Sequence, residues 1–370
     1  MLLTTLLLLA NAWAEDWPTL HRDAARSGVS AEAFSPASLQ VAWSVSVDEE
    51  SVDASPAVVG GQVYVGTATG SVVCLKAADG AVVWRAQTGG AVMSSPTVAE
   101  GRVFVGSADR CLYAFGAADG KMLWRVRTRS SVVASPLCLD GRVYCGSMDG
   151  TFRCLRAADG TEVWRTKEQG PVSAAAAAVG DLVYYGDEVG NIVARSAAEG
   201  KLAWSMKVEG GIVAGPCVIG ERLLVPVMSP TALSPPKIRC LLGLDPRTGN
   251  QLWAVEKGSS VLHTPTADAE NVYFATVSGY LSDMELFACR LTDGAEVWKQ
   301  RLGGVADSSP VLAGDYLLFG LHDASFYLVR RADGSVAQAL PLEGKMFSSP
   351  AVSNGSVYIG AQGGKVYCLR

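Results

Sequence analysis

Apolar and polar residues alternate along most of this chain in short runs, each run broken by a Gly-containing pair, and this period-2 pattern predicts β-strands throughout. Residues 92–126 display one unit. A first strand follows Ser95-Pro96, a second covers Arg102 to Ser107, a third Cys111 to Phe115, and a fourth carries Trp124. The third and fourth strands are joined by Asp-Gly at Asp79-Gly80, Asp119-Gly120 and Asp159-Gly160, a pair that accepts the positive φ of tight hairpins. Each unit thus reads as four antiparallel strands.

The unit recurs. Trp84, Trp124, Trp164 and Trp204 stand 40 residues apart, each four places after a Gly, and Trp43, Trp253 and Trp298 continue the series at spacings of 41, 49 and 45. Gln338 takes the eighth place. A proline column runs Pro56, Pro96, Pro136, Pro216, Pro265, Pro310 and Pro350, with Ala176 as the one substitution, and second strands end in aromatic-x-Gly as at Phe104-Val105-Gly106. Eight four-stranded units predict an all-β, eight-bladed β-propeller. The third strand of the last unit ends at Arg370, whereas Leu39 to Val47 is a fourth strand with no unit before it. The N-terminal strand is therefore expected to complete the C-terminal blade, removing two open sheet edges. Residues 39–370 form one propeller domain in this reading, and 15–38 an N-terminal extension.

A hydrophobic content of 49% with 18% charged residues is ample for a continuous core. The net charge of −5 gives no chain-wide basic excess, which argues against nucleic acid as a partner. Residues 1–14 read as a signal peptide: an apolar run from Leu2 to Ala10, too short to span a bilayer, precedes Ala12-Trp13-Ala14, with cleavage expected before Glu15. The lack of Lys or Arg near Met1 leaves an anchor or a misassigned start as the alternative. No Cys follows the cleavage point, so there is no lipobox, and a periplasmic or secreted protein, soluble after cleavage, is expected.

The Trp after Gly-x-x-x, the Ser-Pro strand start, the aromatic-x-Gly strand end and the leading Asp16-Trp17-Pro18 with Asp23, Arg26 and Gly28 together resemble the pyrroloquinoline-quinone-like (PQQ-like) repeat family. The resemblance covers nearly all of the expected mature chain. That family contains quinoprotein dehydrogenases and non-enzymatic propellers such as the BamB-type outer-membrane assembly scaffolds, so fold does not settle function. The dehydrogenases hold their quinone over a disulfide between adjacent cysteines and ligate calcium. This sequence has no Cys-Cys dipeptide, and four consecutive Trp spacings are at the minimal 40 or 41. What the closer resemblance to BamB-type scaffolds implies is periplasmic protein binding during outer-membrane protein assembly, and the expectation is a non-catalytic propeller, without cofactor, that binds proteins or peptides in the cell envelope, its oligomeric state open with a monomer favoured. The alternative is a degenerate quinoprotein binding PQQ with calcium, or another small ligand, at the channel mouth. BamB-type scaffolds are typically lipoproteins, and the missing lipobox is a departure from them.

The three histidines, His21, His263 and His322, fall in different units and have no metal-ligand spacing. His322-Asp323 reads as a solvated turn. His263 is conspicuous because the equivalent positions of the other units hold only Ala or Ser. If first strands line a central channel, residues three before each Pro ring one mouth. Asp53 and Asp307 place two carboxylates there, one blade apart, and Met93 and Phe347 stand in the same ring. With His263 these make the candidate channel mouth, suited to a cation or amine, with a solvated acidic rim as the competing reading. Candidate partner loops are the Pro-rich insert Val227 to Arg239, with Pro230, Pro235 and Pro236, and the shorter insert Ser278 to Asp283, with Tyr280. Both are expected on the face of the channel mouth.

Most of the nine cysteines occupy positions where other units have small residues, which reads as core packing. Spacing suggests one disulfide. A two-residue turn at Asp149-Gly150 would set Cys145 opposite Cys154 in a non-hydrogen-bonded pair, close enough for a bond in an oxidising compartment. The competing reading leaves both reduced.

Overall fold

In the computed structural model the described residues are 15–30, 38–228, 238–257, 260–261, 263–277, 283–305 and 307–370. They form strands and no helix, in eight sheets that correspond to eight blades. Blade 1 consists of Ala57–Val59, Gln62–Gly66, Ser71–Lys76 and Val82–Gln87, from inner to outer strand. The same order recurs over residues 97–127, 137–167, 177–207, 217–257, 266–303 and 311–341, which are blades 2 to 7. Blade 8 contains Ala351–Ser353, Ser356–Ala361 and Lys365–Leu369, and its outer strand is Val41–Ser46 from the other end of the chain. Trp43 lies opposite Cys368 in that pairing, so the ring closes as the pattern predicted.

The core sits between blades rather than within them. Tyr64, Cys74 and Trp84 of blade 1 pack with Val103, Tyr113 and Phe115 of blade 2, and the other interfaces follow suit. Each Trp of the repeat covers the Asp-Gly or equivalent hairpin of the following blade. A Cβ on Gly120 would come within 2.5 Å of the Trp84 ring, and Gly120 has φ +67, so both packing and backbone require glycine there. The indole then donates across the interface: Trp84 Nε1 to Ala117 O at 2.8 Å, Trp124 Nε1 to Ala157 O at 3.0 Å, and Trp298 Nε1 to Arg331 O at 2.9 Å. The 40-residue columns of Trp and Gly are therefore two halves of one contact. It provides apolar burial and satisfies the polar end of the ring.

Serine before the proline has its own cause. The backbone N–H of Ser55 donates to Ser95 Oγ, that of Ser95 to Ser135 Oγ, that of Ser309 to Ser349 Oγ and that of Ser349 to Ser55 Oγ, at 2.8–3.0 Å. Thr264 N–H extends this belt to Ser309 Oγ. Ala175 and Gly215, which occupy the same position in blades 4 and 5, cannot take part.

One expected pairing is corrected. Cys154 lies opposite Tyr144, and Cys145 opposite Arg153. Ser147 N–H donates to Thr151 O, which leaves Met148, Asp149 and Gly150 as a three-residue loop closed by Gly150 at φ +75. One extra loop residue shifts the register by one and turns the two thiols to opposite faces of the sheet. Both are free and buried, Cys145 in the interface with blade 2 and Cys154 in that with blade 4. Burial pushes Cys145 up to about 12 and Cys154 up to about 11, so neither thiol is activated.

Candidate functional site

Two constructions occupy the two ends of the central channel. At one end lies the N-terminal segment 15–30, which the repeat pattern treats only as an extension. Trp17 exchanges backbone hydrogen bonds with Val58 of blade 1, and Pro18 O accepts from Val98 of blade 2. Ala24 O and Ala25 O accept from Ala178 and Val218 of blades 4 and 5, and Thr266 of blade 6 donates its hydroxyl to Ser27 O. Gly28 O accepts from Leu312, and Val29–Ser30 then pairs in parallel with the inner strand of blade 7. The segment meets the innermost strands of blades 1, 2, 4, 5, 6 and 7 in ring order, so it curves around the inside of this end of the channel. It forms a plug.

Arg26 is the centre of the plug and is wholly buried. Its Nε donates to Ala176 O at 2.9 Å, and one terminal nitrogen donates to Pro136 O at 2.9 Å. The other donates to Thr19 Oγ1 at 2.6 Å and Leu20 O at 2.7 Å. Burial lowers the guanidinium to about 10, with Asp23 opposing the shift, and the group stays charged at neutral pH. His21 is buried beside it with its ring against Gly28, where any Cβ would meet Nδ1 at 2.6 Å. Burial first, then the Arg26 charge, lowers His21 from 6.5 to about 3, so its imidazole is neutral.

The backbone N–H groups that donate to the plug lie two residues after the proline column, whereas the predicted mouth ring lies three residues before it. The mouth is therefore the opposite end of the channel. There Asp307 Oδ2 stands 2.7 Å from His322 Nε2, and the His322 ring meets Phe347 edge-on with centroids 4.6 Å apart. Burial, and then the charge of Asp307, raise the carboxyl of Asp53, which ties Asp53 to the same group. Ser173, from the same ring in blade 4, donates to Glu188 Oε1 at 2.6 Å. Met93 is exposed. His263 does not belong with these residues: it is buried, and its charge when protonated would act on His21.

Sequence reasoning takes His322 for a solvated turn and passes over Glu188, because each reaches the mouth from a loop between second and third strands. The column of residues before each Pro marks only first strands. The base of the blade 5 insert lies on this face, since Met228 bridges Gly211 in the preceding connection. Pro230, Pro235, Pro236 and Tyr280 lie outside the described residues.

Eight blades, with Trp on hairpin Gly at seven of the interfaces and Ser-Pro at the start of most inner strands, define a propeller of PQQ-like repeats. The family model described as outer membrane protein assembly factor BamB matches residues 27–117, 100–211 and 224–370, and the chain belongs to that family. The outer membrane protein assembly factor BamB of Marinobacter adhaerens is 29% identical over 126 residues, which span 33% of this chain and 30% of that protein. Among solved structures, BamB from Moraxella catarrhalis superimposes with TM-score 0.75 at 20% identity, covering 90% of this chain and 98% of that one. A quinohemoprotein alcohol dehydrogenase from Comamonas testosteroni gives TM-score 0.81 at 15% identity over 96% of this chain and 80% of its own. These likenesses show the shared fold.

The described mouth residues do not fit a calcium-bound quinone. One of the two carboxylates is engaged by His322, and among the described residues no three His, Cys, Asp or Glu side chains gather as metal ligands.

Proposed function

We propose that this chain is a non-catalytic, exported propeller that binds proteins or peptides in the cell envelope, in the service of outer-membrane protein assembly. The observation that carries this reading is the family match, which runs through almost the whole ring. The plug supports it, because a channel filled at one end by Arg26 and its partners leaves the rims and loops as the working surface. Export rests on the apolar run Leu2 to Ala10 and the Ala12-Trp13-Ala14 site, with a periplasmic or secreted, soluble product.

The test is capture of a partner from periplasmic extract on the immobilised mature chain, with identification by mass spectrometry. Recovery of an envelope protein at stoichiometric yield is expected, and no retained protein would refute the reading. A second reading, a small cationic ligand at the mouth, is favoured by Asp53 and Asp307 beside Phe347. Titration with PQQ and calcium, followed by absorbance and dye reduction, separates it from a quinoprotein. No spectral change and no dye reduction are expected.

A further inference from the structure

The protein is acidic as a whole, yet one outer edge is not. Between Gly120 and Leu139 the chain holds Lys121, Arg125, Arg127 and Arg129 and no Asp or Glu. Arg125, Arg127 and Arg129 are exposed at the outer edge of blade 2, as is Arg110, whose carbonyl receives both Thr128 N–H and Thr128 Oγ1–H. Arg165 and Lys167 are exposed on the outer strand of blade 3.

The neighbouring acids are already committed. Asp109 accepts from Gly89 N–H and Tyr113 Oη–H, Asp149 from Arg129 N–H and Thr151 N–H, and Glu162 pairs with Arg153 and Arg165. Among the described residues Arg110, Arg125, Arg127 and Arg129 form no ion pair. On other outer strands Lys257 pairs with Glu296 at 2.6 Å and Lys299 with Glu285 at 3.6 Å, while Arg85 and Lys207 donate to backbone carbonyls.

The shape of this patch selects its ligand. The outer strand Met122–Arg127 pairs only with Cys111–Gly116, so its second edge is open. Arg125 and Arg127 share a face at the two-residue repeat of a strand, about 6.6–6.8 Å, which is also the repeat of alternate side chains in an extended peptide. Met122 and Leu123, 54% and 50% exposed, adjoin the basic run. A single charge suffices to blunt an edge against aggregation, as Arg85 and Lys207 do on blades 1 and 4. Uncompensated cations in a row, continued by apolar side chains, exceed that need. A broad anionic lipid surface fits poorly, because exposed Asp119 and Asp159 stand at the same ends of the outer strands and would face it.

We propose that the outer edge of blade 2 binds an extended acidic segment of a partner protein, laid along Met122–Arg127 with its carboxylates on Arg125, Arg127 and Arg129. This rests on the protein-binding reading above and gives that reading a surface and a chemistry.

The test uses the full mature protein and a fluorescent peptide of alternating Glu and Thr, with a Lys-Thr peptide and phosphatidylglycerol vesicles as the other arms. Salt-sensitive binding of the Glu peptide alone is expected. The triple variant Arg125→Glu, Arg127→Glu, Arg129→Glu should bind it about tenfold or more weakly at unchanged melting temperature. The Lys triple variant and Lys207→Glu should bind it normally. Equal binding by the Glu triple variant, no binding of the Glu peptide, or adsorption to vesicles instead would overturn the proposal. If the intact protein captures no envelope partner, the protein-binding reading itself fails. If the intact protein and the Glu triple variant capture a partner equally, only the blade 2 assignment fails.

Discussion

Gln338 holds both polar groups of the Leu39 backbone: Oε1 accepts the N–H at 2.7 Å, and Nε2 donates to the carbonyl at 2.8 Å. This explains the one place in the repeat where Trp is missing. Elsewhere the outer-strand Trp docks on the hairpin between third and fourth strands of the next blade. In blade 8 that hairpin is replaced by the junction of two chain ends, where Gln40 and Arg370 exchange backbone hydrogen bonds. With no hairpin Gly to cover, a side chain that both accepts and donates replaces one that stacks.

Replacing Gln338 by Ala should strand the Leu39 backbone groups and cost about 1–3 kcal/mol. Urea unfolding of the variant checks this. An unchanged midpoint would mean that the blade 7 to blade 8 interface does not depend on the amide.

Removing only Val41–Val47, with the plug kept on a Gly-Ser linker, takes away the outer strand of blade 8 and exposes Lys365–Leu369 as an edge. Aggregation on size-exclusion chromatography is the expected result. A monodisperse monomer with a cooperative melt would contradict the closure.

Trp124→Ala removes a half-buried ring from the hairpin of blade 3 and leaves Ala157 O without its donor. A loss of about 3 kcal/mol is expected, at the low end for a core Trp because part of the ring faces water. Thermal unfolding reports it.

His21 titrates at about 3 in the folded chain against 6.5 for the free side chain, so the unfolded state binds the proton more readily. Its contribution is present in full above pH 6.5 and is lost progressively as pH falls toward 3. A His21→Leu variant, which has nothing to protonate, should therefore lose less melting temperature than the parent between pH 7 and pH 4. Parallel pH profiles would show that the imidazole is not desolvated.

Cys145 and Cys154 should both react with a thiol reagent after denaturation without reductant. A Cys145–Cys154 cross-link in non-reduced peptides would contradict the observed hairpin register.

What the pattern of residues revealed and what it hid have one physical division. Trp, Gly, Ser and Pro recur because each blade must meet the next through the same contact, so periodic packing writes itself into a single sequence. The hairpin at Met148 to Gly150 depends on one loop residue, and no column records whether Asp-Gly closes a loop of two or three. The plug was invisible for another reason. Most of its bonds run between backbone groups, and the side chains that distinguish it, Arg26 and His21, occur once. Asp53, Asp307 and Phe347 could be singled out because they stand in a column, while His322, which contacts Asp307 and Phe347, does not.

The plug and the outer strand of blade 8 both come from the first 46 residues, and their partners extend to residue 369. In time, what emerges first is placed last. Trp17 can find Val58 early, but Gly28 must wait for Leu312, and Trp43 must wait for Cys368. Contacts between residues so far apart in sequence make folding slow and leave strand edges unpaired until Lys365–Leu369 has emerged. Until then the outer strand of blade 8, Val41–Ser46, lacks its partner and its edge is open to wrong pairing.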